Sequence, residues 1–172
     1  MQKSLSDAIQ AEDAAGVKAA IAAGADVNEP YKDSSGTRHS LQLAARNPAI
    51  VKILLVHGAD PNGVDTPNDS NTLVYAAYTC QAESAAALLA AGADPNHLDL
   101  MGFTALGHAA MKGTDAAIDV MRVLLDGGAD IEAGRGSTPL MMASRSIPAM
   151  RFLLERGANP NATRPTRGTA LH

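Results

Sequence analysis

The chain has 172 residues, enough for one buried domain or one short repeat array. Hydrophobic residues make up 46% but aromatics only 3%, with no Trp, so the core must be built from Ala, Leu, Val, Ile and Met. A net charge of −4 argues against a nucleic-acid binder, and a single cysteine, Cys80, excludes an intrachain disulfide.

The N-terminus, Met1-Gln2-Lys3-Ser4-Leu5, has no long apolar run of the signal-peptide kind. No stretch approaches the roughly eighteen apolar residues of a membrane span. These features predict a cytoplasmic chain. The first helical pair is expected at Leu5-Ser6-Asp7-Ala8-Ile9 and Val17-Lys18-Ala19-Ala20-Ile21, and it ends at Gly24-Ala25-Asp26-Val27-Asn28. The polar residues Gln2, Lys3, Asp7, Gln10, Glu12, Asp13 and Lys18 would give this unit a solvated outer face, as a terminal cap requires.

The same phrase returns as Gly58-Ala59-Asp60-Pro61-Asn62, Gly92-Ala93-Asp94-Pro95-Asn96, Gly128-Ala129-Asp130-Ile131-Glu132 and Gly157-Ala158-Asn159-Pro160-Asn161, at steps of 34, 34, 36 and 29 residues. Each copy follows an apolar run at helical spacing: Ile50-Val51-Lys52-Ile53-Leu54-Leu55, Ala85-Ala86-Ala87-Leu88-Leu89, Val120 to Leu125, and Met150-Arg151-Phe152-Leu153-Leu154. Gly suits a helix C-terminus where the backbone turns left-handed, and the Asp or Asn two residues on can bond nearby amides and set a turn. About a dozen residues further lies a second phrase: Leu41-Gln42-Leu43-Ala44-Ala45, Leu73-Val74-Tyr75-Ala76-Ala77, Leu106-Gly107-His108-Ala109-Ala110 and Leu140-Met141-Met142-Ala143-Ser144. Its small residues let neighbouring helices approach closely. Each unit therefore reads as helix, turn, helix and connector. No unit can bury its faces alone, so the units must stack.

Thr104-Ala105-Leu106-Gly107-His108-Ala109 and Thr138-Pro139-Leu140-Met141-Met142-Ala143 resemble the Thr-Pro-Leu-His-x-Ala phrase of the ankyrin repeat. The resemblance covers nearly the whole chain. It implies an all-α ankyrin-repeat solenoid with hairpin-like connectors, a single domain divided as a capping repeat 1–28, repeats 29–62, 63–96, 97–132 and 133–161, and an incomplete repeat 162–172. The departures are local. The family His is replaced by Gln42, Val74, Gly107 and Met141, and the family Thr by His39 and Asn71. The connector after Asn28 is longer, through Pro30 to Gly36. Turns are shortened at Asn47-Pro48 and Ser146-Ile147-Pro148, where proline suits the start of a second helix. An insertion around Thr114-Asp115-Ala116-Ala117 lengthens the fourth repeat. Cys80 stands where the family has Gly between its helices.

Enzyme chemistry finds no support. No phosphate loop or nucleophile elbow is present, and His39, His57, His97, His108 and His172 are scattered about a repeat apart without metal-ligand spacing. His57 fits a helix-end role and His97 connector geometry. Asp26, Asp60, Asp94 and Asp130 recur at a turn position and lack the ligand pattern of a calcium loop. No enzyme activity, cofactor or metal is therefore expected.

What the resemblance implies is a protein–protein interaction module (adaptor, inhibitor or scaffold) whose connector tips and first helices line a concave binding face. Carried over by position, the fourth repeat contributes Leu98, Leu100, Met101, Phe103, Met111 and Lys112. All but Lys112 are apolar, and an exposed apolar cluster marks an interaction site. The third repeat adds Val64, Tyr75 and Tyr78, and the fifth adds Arg135, Met142 and Arg145. An alternative is that Phe103 and Leu100 fold back on the neighbouring connector. The partner is expected to be another protein, with no nucleic acid. From Arg145 to His172 the chain carries +4, leaving −8 on residues 1–144, a polarity that can orient a partner. The last repeat shows no polar cap. That leaves open self-association, or a regulatory or targeting ankyrin segment of a larger protein, truncated after residue 172.

Overall fold

The computed structural model describes residues 4–34, 36–65 and 68–162. All of the expected incomplete repeat 162–172 but Ala162, with Arg164, Arg167 and the Thr169–His172 phrase, lies outside the described residues, as do Gln2 and Lys3 of the expected cap.

Helices follow one another in antiparallel pairs, as the phrases require. The first pair is α1 (Leu5–Gln10) and α2 (Ala14–Ala22); the second is α3 (Ser40–Ala44) and α4 (Pro48–Val56). The third is α5 (Thr72–Tyr78) and α6 (Ala82–Ala90), and the fourth α7 (Ala105–Lys112) and α8 (Asp115–Asp126). In the last, α9 (Pro139–Met142) runs into a 3-10 turn (Ala143–Arg145) before α10 (Ile147–Glu155). First helices pack on first helices and second on second, so two layers run the length of the stack. Leu41, Leu73 and Leu106 are buried in the first layer; Ile50, Leu54, Leu88, Met121, Leu124 and Leu153 lie buried in or beneath the second. The Ala-Ala pairs Ala44–Ala45, Ala76–Ala77 and Ala109–Ala110 are buried where the first helices approach.

Local chemistry explains the helix ends. Asn71, Thr104 and Thr138 accept the amides of Val74, Gly107 and Met141. Asn47 and Ser146 cap the second helices that begin at Pro48 and Ile147. Where the sequence shortens the inter-helix turn, the first helix has lost residues: α3 has five and α9 four, against seven and eight in α5 and α7. The inserted Thr114-Asp115 stretch appears as extra helix, making α8 twelve residues long where α6 has nine. His57 caps α4, its Nδ1 2.8 Å from the Ile53 carbonyl.

At all five recurring phrases the glycine has φ between +85° and +94°, the left-handed region the sequence demanded. Two residues later, the side chain of Asp26, Asp60, Asp94, Asp130 or Asn159 accepts the amide two positions on, at 2.9 Å in each copy. A side-chain ladder also joins the units. Asn28 Oδ1 accepts the Asp60 amide and its Nδ2 donates to the Gly58 carbonyl; Asn62 does the same to Asp94 and Gly92. Asn96 and Glu132 continue it, accepting the amides of Asp130 and Asn159. The long connector after Asn28 is an antiparallel hairpin, β1 (Tyr31–Asp33) with β2 (Gly36–Arg38), Tyr31 opposite Arg38. This is the one sheet among the described residues, and it places Tyr31 and Arg38 at the edge of the first-helix face.

Candidate functional site

The first-helix face is built by repetition. Tyr75, His108 and Met142 occupy one position of the recurring phrase, and Arg46, Tyr78, Met111 and Arg145 another, three residues on. Stacking brings these positions side by side.

Two connectors anchor the centre of that face from below. Asp65 is buried; its Oδ1 accepts the Ser70 amide at 2.8 Å and its Oδ2 the Tyr75 hydroxyl. One unit along, buried Asp99 accepts the Phe103 amide at 2.9 Å through Oδ1 and meets His108 Nε2 at 2.7 Å through Oδ2. The two arrangements are equivalent: a turn carboxylate closes its own connector and holds the polar aromatic of the following helix. Burial, then the Asp65 hydrogen bond and charge, push the Tyr75 hydroxyl up from 10.0 to about 12, with Asn68 and Arg38 acting against them. His108 sits between two rings, edge-on to Phe103 at 5.7 Å and to Tyr78 at 6.1 Å. Its Nδ1 is buried without a hydrogen-bond partner, a cost Tyr75 avoids. Lys112 Nζ lies 3.9 Å from the centre of the Tyr78 ring, a cation–π contact.

Above these anchors a cavity of about 190 Å³ opens, lined by Asn68, Ser70, Val74, Tyr75, Tyr78, Asp99, Leu100, Met101 and His108. Leu100 and Met101 stand 69% and 68% exposed at its mouth, and Tyr78 47%. On the other side of the tyrosines a larger cavity, about 460 Å³, is lined by Tyr75 and Tyr78 together with Gln10, Tyr31, Arg38, Gln42 and Arg46 among others.

Of the residues singled out in the sequence, Tyr75, Tyr78, Leu100 and Met101 meet at the smaller cavity, and Lys112 joins them through Tyr78. Met111 is half-exposed on α7 beside Lys112. Phe103 is half-buried against His108, and the Leu100 amide donates to the Asn68 carbonyl at 2.9 Å, although the Leu100 side chain stays in solvent. Val64, Leu98, Arg135, Met142 and Arg145 do not line the cavity. Val64 forms a bridge with Asn71. The Arg135 amide donates to the Gly102 carbonyl at 2.8 Å, joining adjacent connectors, while its side chain is exposed. Met142 packs its sulfur against the space beside Gly107, and Leu98 is half-buried. Arg145 is exposed in the 3-10 turn. Sequence reasoning missed Asp65, Asp99 and His108 as anchors, and Tyr31, Arg38 and Arg46 as neighbours of the tyrosines. The signal was there: Asp65 precedes Tyr75 by ten residues and Asp99 precedes His108 by nine.

Among the described residues no group of three His, Cys, Asp or Glu side chains could hold a metal ion, and no helix is long and apolar enough to cross a membrane.

A family profile for ankyrin repeats, three copies long, matches residues 5–99 and again 73–164. Human ankyrin repeat and SOCS box protein 6 is 33% identical over 114 residues, which is 64% of this chain and 27% of that protein. The B-cell lymphoma 3 protein homolog of Mus musculus is 32% identical over 135 residues, 73% of this chain and 29% of the relative. The glycerophosphocholine phosphodiesterase gde1 of Schizosaccharomyces pombe is 32% identical over 106 residues, 62% of this chain but 9% of that protein. The matched region is thus under a third of each relative's length. Ankyrin repeats are generally protein-interaction modules.

Proposed function

The chain belongs to the ankyrin-repeat family, and from that premise we propose that it is a non-enzymatic adaptor, inhibitor or scaffold holding a partner protein on its first-helix face. In this reading each of the five helix pairs is one repeat, α1 and α2 form the cap, and the chain works in the cytoplasm. The observation that carries it is the exposure of Leu100 and Met101 side by side at the mouth of a cavity walled by Tyr75 and Tyr78. Burying such a pair yields roughly 25 cal/mol per Å² of apolar surface removed from water. Tyrosine is favoured at interface centres because a rigid ring brings both area and a hydroxyl. The binding surface extends from there over Met111, Lys112, Arg135 and Arg145, with Phe103, Leu98, Val64 and Met142 supporting it from beneath.

The test uses a partner recovered by crosslinking in the native cell and then purified. Leu100→Ser with Met101→Ser should weaken its binding by at least about tenfold, roughly 1.4 kcal/mol. The helical melt should move little, because both side chains are already in solvent. Unchanged affinity would refute this face as the interface.

A second reading makes the array a regulatory or targeting segment within a longer protein. The relatives support it, since each carries its matching region within a much longer chain. Immunoblotting the endogenous protein against the 172-residue chain decides between them. Self-association through the last repeat would show as a concentration-dependent sedimentation coefficient.

A further inference from the structure

The two cavities on the first-helix face share a wall but differ in chemistry. Tyr75 and Tyr78 line both. The smaller one is bordered by the exposed side chains of Leu100 and Met101. The larger one has Arg38 and Arg46 among its lining residues and, among the described residues, no Asp or Glu; Arg38 is engaged in an interaction of its own, so Arg46 supplies the available charge.

The charge asymmetry extends along the stack. From the second helix pair onward, no first helix carries an acidic residue: Ser40–Ala44, Thr72–Tyr78, Ala105–Lys112 and Pro139–Met142 have none, nor does the turn Ala143–Arg145. Their ends instead present Arg46, Lys112 and Arg145, all exposed and none in an ion pair with a carboxylate among the described residues. From the second pair onward the acids carried by helices lie on the other layer, as Glu83 on α6, Asp115, Asp119 and Asp126 on α8, and Glu155 on α10, while Asp60, Asp94, Asp130 and Glu132 are tied into the connector turns. On that other layer Lys52, Arg122 and Arg156 each meet a carboxylate. A chain of net charge −4 therefore presents cationic side chains along its first helices. The two carboxylates beneath that face, Asp65 and Asp99, are buried, and each is held by two hydrogen-bonding groups of its own unit. Exposed Asp69, in the same connector as Asp65, lines neither cavity.

We propose that this face takes an acidic peptide segment of the partner, with one apolar side chain in the smaller cavity and Asp or Glu side chains across the tyrosine wall, beside Arg46 and along Lys112. The proposal rests on the interface reading above and adds the partner's chemistry to it. Complementary charge steers the encounter and sets register, while the apolar anchor supplies burial. The apolar mouth favours a peptide over a nucleic acid, which would need phosphate contacts along its whole length.

A library of random peptides displayed on phage and selected on the intact chain tests this directly. The selected pool should be enriched in Asp and Glu flanking an aliphatic or aromatic residue, relative to the unselected pool. A representative peptide should lose about tenfold in affinity with Arg46→Glu and Lys112→Glu together, and bind more weakly as salt rises. Lys52→Ala with Arg122→Ala, on the outer layer, should leave binding unchanged. An unbiased or basic pool, an empty selection, an equal loss from the outer-layer pair, or displacement by a single-stranded oligonucleotide would each overturn the proposal. A native partner lost with Leu100→Ser and Met101→Ser but indifferent to Arg46→Glu and Lys112→Glu would leave the interface standing and remove the acidic segment alone.

Discussion

Replacing Gly113 by Ala isolates the contact that sets how closely the fourth and fifth helix pairs stack. Gly113 ends α7 at φ +60°, ψ +17°, in the left-handed region. A Cβ there would fall 2.2 Å from Ser146 Cβ and 2.5 Å from Ser146 Oγ. Ser146 cannot yield freely. Its hydroxyl donates to the Gly113 carbonyl at 2.8 Å and accepts the Ala149 amide at 3.3 Å as the cap of α10. The left-handed backbone costs Ala about 1 kcal/mol. Forcing the overlap apart adds roughly 1–3 kcal/mol, and weakening the cap about 1 more. The reduced freedom of the unfolded chain returns about 0.5 kcal/mol. A net loss of about 3 kcal/mol lowers the melting temperature by roughly 6–12 °C in a chain of this size. Circular dichroism melts and urea titrations measure it. Gly128→Ala is the control, since Gly128 has φ +92° but nothing within 4 Å of the added carbon, and it should lose only the backbone term. Adding Ser146→Gly to Gly113→Ala removes both clashing atoms and should recover about 1–2 kcal/mol relative to additivity. Gly113→Ala no worse than Gly128→Ala, or strict additivity with Ser146→Gly, would refute the reasoning.

Three further outcomes follow from the anchors and turns. His108→Ala leaves the buried Asp99 carboxylate with the Phe103 amide alone and strips two rings of their edge contact. It should cost about 2–3 kcal/mol in urea unfolding, while His108→Tyr, copying the unit before it, should retain more than half of that. The Tyr75 proton is held more tightly in the folded chain than in the unfolded one. Its stabilisation is therefore complete below pH 10 and is lost as pH rises toward about 12; Tyr75→Phe should remove that step from the alkaline stability profile. Solvent around the half-buried ring limits the step to about 1 kcal/mol. Cys80 holds φ +58° between α5 and α6, so Cys80→Gly should raise stability by about 0.5 kcal/mol and Cys80→Val should lower it by more than about 1 kcal/mol, read from denaturant midpoints.

Tyr75, Tyr78, Leu100, Met101 and Lys112 were identifiable because the period assigns each a place on a connector tip or first helix. Their division into an apolar and a cationic compartment was not, since Arg46 and Tyr78 belong to different units and meet through stacking. Phe103 shows the same limit. Its position marks the tip, but its ring turns onto His108, so its loss costs stability as well as surface. Exposed Leu100 and Met101 are the cleaner test of binding.

Determined by sequence alone were the features that act over a few residues. The recurring glycines end helices because a left-handed backbone disfavours residues with a Cβ, and the Asp or Asn that follows bonds an amide two positions away. The caps at Asn47, Asn71 and Thr104 and the prolines at helix starts are equally local. Tertiary structure decided what depends on the distance between units. It made the Asn28 and Asn62 ladder, folded the Tyr31–Arg38 connector into a hairpin, buried Asp65 and Asp99 under the aromatics, and set the tyrosine wall between two cavities. These contacts join residues from seven to thirty or more positions apart, and side-chain packing across the stack determines most of them.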